Sequence, residues 1–193
     1  DLIGACLDDS TGEGLAILLK ALRLDSVQAQ QVFLLTAPAG RDISLFFPLA
    51  DLYAGTGAIG IEALSRGAAH VLFVEKAPPA LAALRANLKA LEITSGFAIE
   101  ARSVASALDR MHGTTGATRA LDLVFLDPPW EAADEYISVL SHLGAAPRAT
   151  LLAPGALVIA EHAARTPLQP SWGALAQTRT LRQGDAALTF YAL

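Results

Sequence analysis

The decapeptide Asp51-Leu-Tyr-Ala-Gly55-Thr-Gly57-Ala-Ile-Gly60 constrains the fold more than any other stretch of the chain. It follows an apolar, strand-like run and opens a helical one, and its glycines satisfy the spacing G-x-G-x-x-G. Glycine lets a backbone turn tightly and approach a ligand, and the helix start behind such a turn presents free N–H groups. A glycine turn without a ligand meets the same spacing, so the pattern takes its meaning from what surrounds it. From Ser44 onward, strand-like and helical runs alternate, as in an α/β chain with a mostly parallel sheet. Strands are expected near residues 49–53, 71–75, 97–101, 121–126 and 155–161, with helices near 58–66, 78–91, 103–111 and 132–143. Residues 178–182 and 186–191 read as a hairpin turning at Gln183-Gly184-Asp185, which makes the sheet seven-stranded. Pro48 stands at the entry to the first strand. Proline cannot donate to a ladder, so that strand is expected to begin after it and to be short.

Upstream, residues 11–34 read as helical, with Leu15, Leu18, Leu19 and Leu22 on one face, a short second helix near 26–35 and a loop at 37–41. The expected division is a helical segment over residues 1–47 and an α/β domain over 48–193. Apolar residues make up 53% and charged residues 17%, a globular composition. Cys6 is the only cysteine, which excludes an internal disulfide and a multi-cysteine zinc site and suits a reducing cytoplasm. No apolar run approaches the length of a membrane span. The net charge of −5 weighs against a nucleic-acid partner, because phosphate contacts supply most of such affinity. A local basic patch could still form from Arg66, Lys76, Arg85, Lys89, Arg102 and Arg110.

Two carboxylates sharpen the glycine turn. Asp51 ends the first strand just before the glycines, and Glu75 ends the next one. An acidic residue at that second position accepts hydrogen bonds from ribose hydroxyls, in dinucleotide and S-adenosylmethionine sites alike. Asp51 favours the second cofactor: a carboxylate beside the loop suits an ammonium group and would repel a pyrophosphate.

The apolar strand Leu121-Asp-Leu-Val-Phe-Leu126 runs into Asp127-Pro128-Pro129-Trp130. Two prolines fix the backbone and so aim the carbonyls of the turn. An indole can stack on a planar ring, and a carboxylate can accept from an amino group. An exocyclic amine is a poor nucleophile because its lone pair is delocalised into the ring. Hydrogen bonds from its two N–H groups to Asp127 and to the Pro128 carbonyl favour a pyramidal nitrogen, which could then attack a methyl sulfonium in line. A base in structured nucleic acid would have to be extruded first, and Trp130 would stack on it.

With both motifs in view, the chain resembles the RsmD family of bacterial 16S ribosomal RNA guanine-N2 methyltransferases. The residues that carry the likeness run from Asp51 through Glu62-Ala-Leu-Ser-Arg-Gly67, Val74-Glu75-Lys76, Phe125-Leu-Asp-Pro-Pro-Trp130 and Glu161-His162 to Gly184-Asp185 and Leu188-Thr-Phe-Tyr191. The resemblance implies a class I S-adenosylmethionine-dependent methyltransferase fold, Rossmann-like, with S-adenosylmethionine as methyl donor. It implies a guanine in 16S rRNA or the 30S subunit as target and a cytoplasmic location. No membrane or metal partner is implied, and a monomer is expected. By matching position, Asp51, Tyr53, Ala54, Gly55, Gly57, Glu75 and Lys76 would hold the cofactor, and Asp127, Pro128, Pro129 and Trp130 the target base. At the third strand end, where many methyltransferases place an acid near the adenine, this chain has Ala101-Arg-Ser103, and Ser103 would meet the adenine edge.

The family's basic arm and Arg-Pro-Thr-like segment have no counterpart in residues 1–50, which hold six acidic side chains against three basic ones. A foreign segment from a gene fusion or an assembly artefact is one reading of that departure, with activity reduced or lost as a consequence. The residues leave other readings open: an adenine or cytosine amine in DNA or another RNA, a glutamine amide in a protein, a nicotinamide-dependent oxidoreductase, or a binding module without catalysis. Alone, His162 reads as a structural histidine, while His70, His112 and His142 read as surface residues without metal spacing. Trp172 and Tyr136 read as core or rim, and Asp185 as a turn residue.

Overall fold

Strand β1 (Pro48–Leu52) is buried along its whole length, and the sheet is built outward from it on both sides. The computed structural model describes residues 48–65, 68–113, 120–145 and 151–193. The upstream helices, the loop at 37–41 and Arg66 lie outside the described residues. After β1 come α1 (Ala58–Ser65), β2 (His70–Val74), α2 (Pro78–Ala90), β3 (Phe97–Glu100), α3 (Val104–Gly113) and β4 (Leu121–Leu126). Then follow α4 (Ala133–Gly144), β5 (Leu152–Ala163), β6 (Ser171–Trp172), β7 (Leu175–Gln183) and β8 (Ala186–Ala192). The order across the sheet is β3-β2-β1-β4-β5-β8-β7-β6. The first five strands pair in parallel, while β8, β7 and β6 close the far side antiparallel.

Each face of the sheet carries its own core. On one, Ile59 and Ile61 of α1 and Leu84 and Leu88 of α2 pack with Leu49, Phe73, Phe125 and Phe190. On the other, Leu108 of α3 and Val139, Leu140 and Leu143 of α4 pack with Leu52, Val124, Leu126, Val158 and Tyr191. Helices on both faces explain why β1 and β4 read as continuous apolar runs and not as alternating ones. The glycine turn is drawn into this packing. A Cβ on Gly60 would collide with the ring of Phe73 and with Val71 Cγ1, and one on Gly57 (φ 87°) with Leu84.

Three details depart from the sequence expectation. Strand β1 begins at Pro48 itself, paired with His70, because a proline at the first position of a strand costs little of the ladder. Strand β5 starts three residues before the expected 155, although Pro154-Gly155 reads as a turn. Between Leu121↔Leu152 and Leu123↔Leu157 the register slips, and this irregularity, with Gly155 at φ 80°, carries the extra residues. The expected hairpin is present as β7 and β8, and the two-residue β6 adds an eighth strand.

Gly60→Ala should lower stability by about 1–3 kcal/mol through overpacking. Urea unfolding of this variant and of its combination with Phe73→Leu checks it. Part of the loss should return in the double variant; additive losses would contradict the contact.

Candidate active site

Register sets the site. Leu52 stands opposite Leu126 in the parallel β1–β4 ladder, so the turns after the two strands leave the sheet side by side. The chain winds from β1 toward β2 in one direction and from β4 toward β5 in the other. Ligands of open α/β sheets sit in the crevice that such a reversal opens at the carboxyl ends of the strands. Here a cavity of about 690 Å3 occupies it. Tyr53, Gly55, Glu75 and Lys76 form one wall and Asp127, Pro128, Pro129 and Trp130 the other, with Arg102, Val104, Glu135 and Glu161 between them.

Both strand-end carboxylates bind the glycine turn. Gly60 N–H donates to Asp51 Oδ2 at 2.9 Å, and Gly55 N–H donates to Glu75 Oε2 at 2.9 Å. Glu75 Oε1 also accepts from the N–H groups of Lys76 and Ala77, at 2.7 and 2.8 Å, where the chain turns into α2. Tyr53 adopts φ 67°, unusual for a side chain with a Cβ, and its hydroxyl donates to Glu135 Oε2 at 2.7 Å. Lys76 Nζ lies 3.5 Å from the other oxygen of Glu135, so one carboxylate of α4 ties down two residues of the opposite wall.

Two acids of the site, Asp51 and Asp127, are held above their ordinary range. Burial pushes Asp51 up to about 7; the Gly60 N–H opposes this, while the charges of Asp127 and Glu75 add to it. Burial alone takes Asp127 to about 6. The Tyr136 hydroxyl lies 2.8 Å from the Glu161 carbonyl and 3.3 Å from that of Pro128, beneath the proline turn. Burial raises this phenol too, helped by the charges of Asp127, Glu161 and Glu131, so it stays protonated.

Residues 30–192 match the family model described as Conserved hypothetical protein 95. The chain belongs to this family. It is the family of the RsmD-type methyltransferases that the motifs resemble, and the match begins upstream of Asp51. A Bacillus subtilis (strain 168) protein of the family, carrying the provisional name rRNA methyltransferase YlbH, is 31% identical over 141 residues, 73% of each chain. The solved structure of an Escherichia coli protein, provisionally named methyltransferase YhhF, shares 26% identity with a TM-score of 0.64. It covers 84% of this chain and 83% of its own. A more distant methyltransferase, solved with S-adenosylhomocysteine, shares the fold alone: 15% identity, TM-score 0.54, 77% of this chain and 46% of its own. The fold is that of class I S-adenosylmethionine-dependent methyltransferases.

Against the family's expected contacts, the structure divides the residues named from sequence. Tyr53, Gly55, Glu75, Lys76 and the four residues Asp127 to Trp130 all line the cavity. Asp51, Ala54 and Gly57 do not; they lie behind the turn, with Asp51 only 2% exposed and spent on Gly60. Ser103 also stays outside, where its Oγ accepts from Ser106 N–H at 3.4 Å and caps α3, while its neighbours Arg102 and Val104 face the cavity. The third strand does end in an acid: β3 stops at Glu100, whose carboxylate is ion-paired to Arg102 and Arg110 at 2.6 and 3.4 Å. Sequence reading missed Glu135, the brace across the cavity, because only tertiary packing brings α4 to Tyr53 and Lys76.

His162 is the structural histidine that was expected, buried and partnered at both ring nitrogens. Tyr136 and Trp172 are buried as well. His142, read as a surface residue, has a side chain only 9% exposed, 4.0 Å from Asp109. No helix among the described residues is long and apolar enough to cross a membrane.

Asp51 and Asp127 carry folded pKa values above those of an unfolded carboxyl. Their stabilising contribution is therefore complete below about pH 4 and is lost as pH rises through about 6 and then about 7. Urea midpoints should fall between pH 5 and pH 8. Asp51→Asn, which keeps an oxygen for the Gly60 N–H, should flatten the upper part of that decline; an unchanged decline would contradict the assignment.

Proposed function

We propose that this chain transfers a methyl group from S-adenosylmethionine to the exocyclic N2 amine of a guanine in bacterial 16S rRNA. One observation carries the reading: a carboxylate, two prolines and an indole at the end of β4 share a single cavity with the glycine turn at the end of β1. The residues present fit the cofactor. The cavity falls within the roughly 300–1,000 Å3 typical of ligand pockets, and Glu75 stands where ribose hydroxyls need an acceptor. Tyr53, Gly55, Glu75 and Lys76 are the contacting residues in this reading. Asp51, Ala54 and Gly57 hold the turn's shape from behind, and Val104 takes the adenine-edge position in place of Ser103. When bound, S-adenosylmethionine supplies an electrophilic methyl group on sulfur.

The chain's own work is to hold the amine. Asp127 accepts one N–H of the guanine amine and the Pro128 carbonyl accepts the other. The nitrogen lone pair is then left facing the Gly55 wall. Trp130 stacks on the ring, and Tyr136 below the turn fixes the direction of the Pro128 carbonyl. Asp127 serves this arrangement only above about pH 6, where it is ionised and can accept. No strong base is needed, because the methylated nitrogen is acidic enough to release its proton to Asp127 or to water. The rRNA named for the Bacillus relative supports the substrate class, although the net charge of −5 does not. In this reading the protein works as a metal-free monomer in the cytoplasm on the 30S subunit.

Labelled S-adenosylmethionine incubated side by side with undermethylated 30S subunits, naked 16S rRNA and DNA tests the assignment. Label should enter 30S subunits or rRNA as N2-methylguanine; label in DNA, or in adenine, would contradict it. Asp127→Ala should lower kcat by about 10²–10³-fold, the effect of losing one positioned group that acts in the transition state. The wild-type rate should fall as pH drops through about 6. An alanine variant with wild-type kcat would remove Asp127 from the mechanism.

A further inference from the structure

Beyond the cavity, two smaller hollows continue past Trp130 on the α4 face of the sheet. Trp130 is the wall shared by the main cavity and the first hollow, a mostly apolar groove of about 170 Å3 bordered by Ile137, Pro167 and Leu168. Ile137 is 48% exposed, one of only two large apolar side chains so placed among the described residues. His162, Pro167 and Leu168 in turn border the second hollow, about 420 Å3, which ends at Gln177 and Arg182. The three spaces thus form one line from the proline turn to the hairpin.

The floor of the far hollow is polar and fixed. His162 Nδ1 lies 3.0 Å from the Ala163 carbonyl, which can only accept, so Nδ1 carries the proton and Nε2 of the neutral ring accepts. Burial holds this ring below its ordinary pKa, which keeps it neutral. Thr189 must then donate to His162 at 2.8 Å and Thr180 to Thr189 at 3.0 Å, with Gln177 donating to Thr180 at 3.1 Å. This chain crosses β5, β8 and β7 and commits its hydroxyl protons internally. The Arg182 guanidinium and the second amide N–H of Gln177 remain as donors at the rim, and no carboxylate lines the hollow.

Charge also gives the line a direction. At the start of α4, Glu131, Asp134 and Glu135 would repel a phosphate leaving the cavity on that side. After Glu161 the sequence holds three arginines, Arg165, Arg179 and Arg182, against one acid, Asp185. On a chain of net charge −5, the hairpin end is therefore where a polyanion is drawn.

We propose that this groove holds the nucleotide adjoining the target guanine in the substrate RNA, its base against Trp130 and Ile137 and its phosphodiester on Arg182 and Gln177. The assignment rests on the reading of the site as an RNA base methyltransferase and names the part of the substrate that the target base alone does not account for. Arg182 and Ile137 act here as binding residues and take no part in methyl transfer.

Fluorescence anisotropy of a labelled, guanine-containing single-stranded RNA with the whole chain, saturated with S-adenosylhomocysteine, tests it. Arg182→Ala should weaken binding about ten-fold, as expected for a hydrogen bond to a charged group. It should also reduce the slope of log affinity against log salt by about 0.7, the share of one phosphate on a single strand. Ile137→Ser should weaken binding without changing that slope. In methylation assays both variants should raise KM and leave kcat as in wild type, and calorimetry should show unchanged affinity for S-adenosylhomocysteine, which also verifies folding. If wild type methylates RNA while Arg182→Ala and Arg182→Glu keep its affinity and salt slope, the groove assignment is overturned and the methyltransferase reading stands. If wild type neither binds nor methylates RNA, both fall together.

Discussion

The parallel pairing of β1 with β4 is the constraint on which the rest of the molecule depends. It buries both strands on both faces, which is why each is almost wholly apolar. It also makes the sheet's winding reverse between them, which opens a crevice at their carboxyl ends. A slip of one residue in this ladder would turn Asp127 toward the core and carry the proline turn away from the glycine turn. The register Leu52↔Leu126 thus does for the site what a covalent link would do: it fixes the distance between the wall built on the glycine turn and the wall built on the proline turn.

Within that frame, carboxylates do most of the positioning, and they do it at some expense in stability. Asp51 and Glu75 each accept a backbone N–H from the glycine turn, and Glu135 holds Tyr53 and Lys76 from across the cavity. Burial beneath an apolar sheet raises Asp51 and Asp127 well above ordinary carboxyls, and at Asp51 the charges of Asp127 and Glu75 add to it. The repulsion that adds to the shift of Asp51 is also what a cationic ligand in the crevice would relieve. The arrangement therefore favours a positively charged ligand such as a sulfonium with an ammonium group over a pyrophosphate, the preference first suggested by Asp51 in the sequence.

Much of this architecture is legible in the sequence because the informative segments are long, apolar and punctuated by glycine and proline. The four helices and the strands around the site fall within one or two residues of their expected limits at most ends. Misreadings occur where tertiary contacts override local signals. Pro154-Gly155 reads as a turn, yet a register irregularity carries β5 through it. Ser103 caps α3 by accepting from Ser106 N–H, while its neighbours Arg102 and Val104 line the cavity. Asp51, read as standing beside the loop, is buried behind the turn and accepts from Gly60 N–H. Glu135 and the Arg182 hollow carry no local signal, since they arise only when α4 packs on the sheet and the hairpin pairs with β5.

The two turns share one cavity and can act on two ligands at once. Calorimetry with a single adduct tests it most directly, with guanine N2 joined through a methylene to the sulfur position of an S-adenosylhomocysteine skeleton. If the turns are complementary to the two halves at this spacing, the adduct should bind at least about a hundred-fold more tightly than S-adenosylhomocysteine, as analogues of a transition state do. An affinity no better than that of S-adenosylhomocysteine alone would mean that the two walls do not face a common reacting pair.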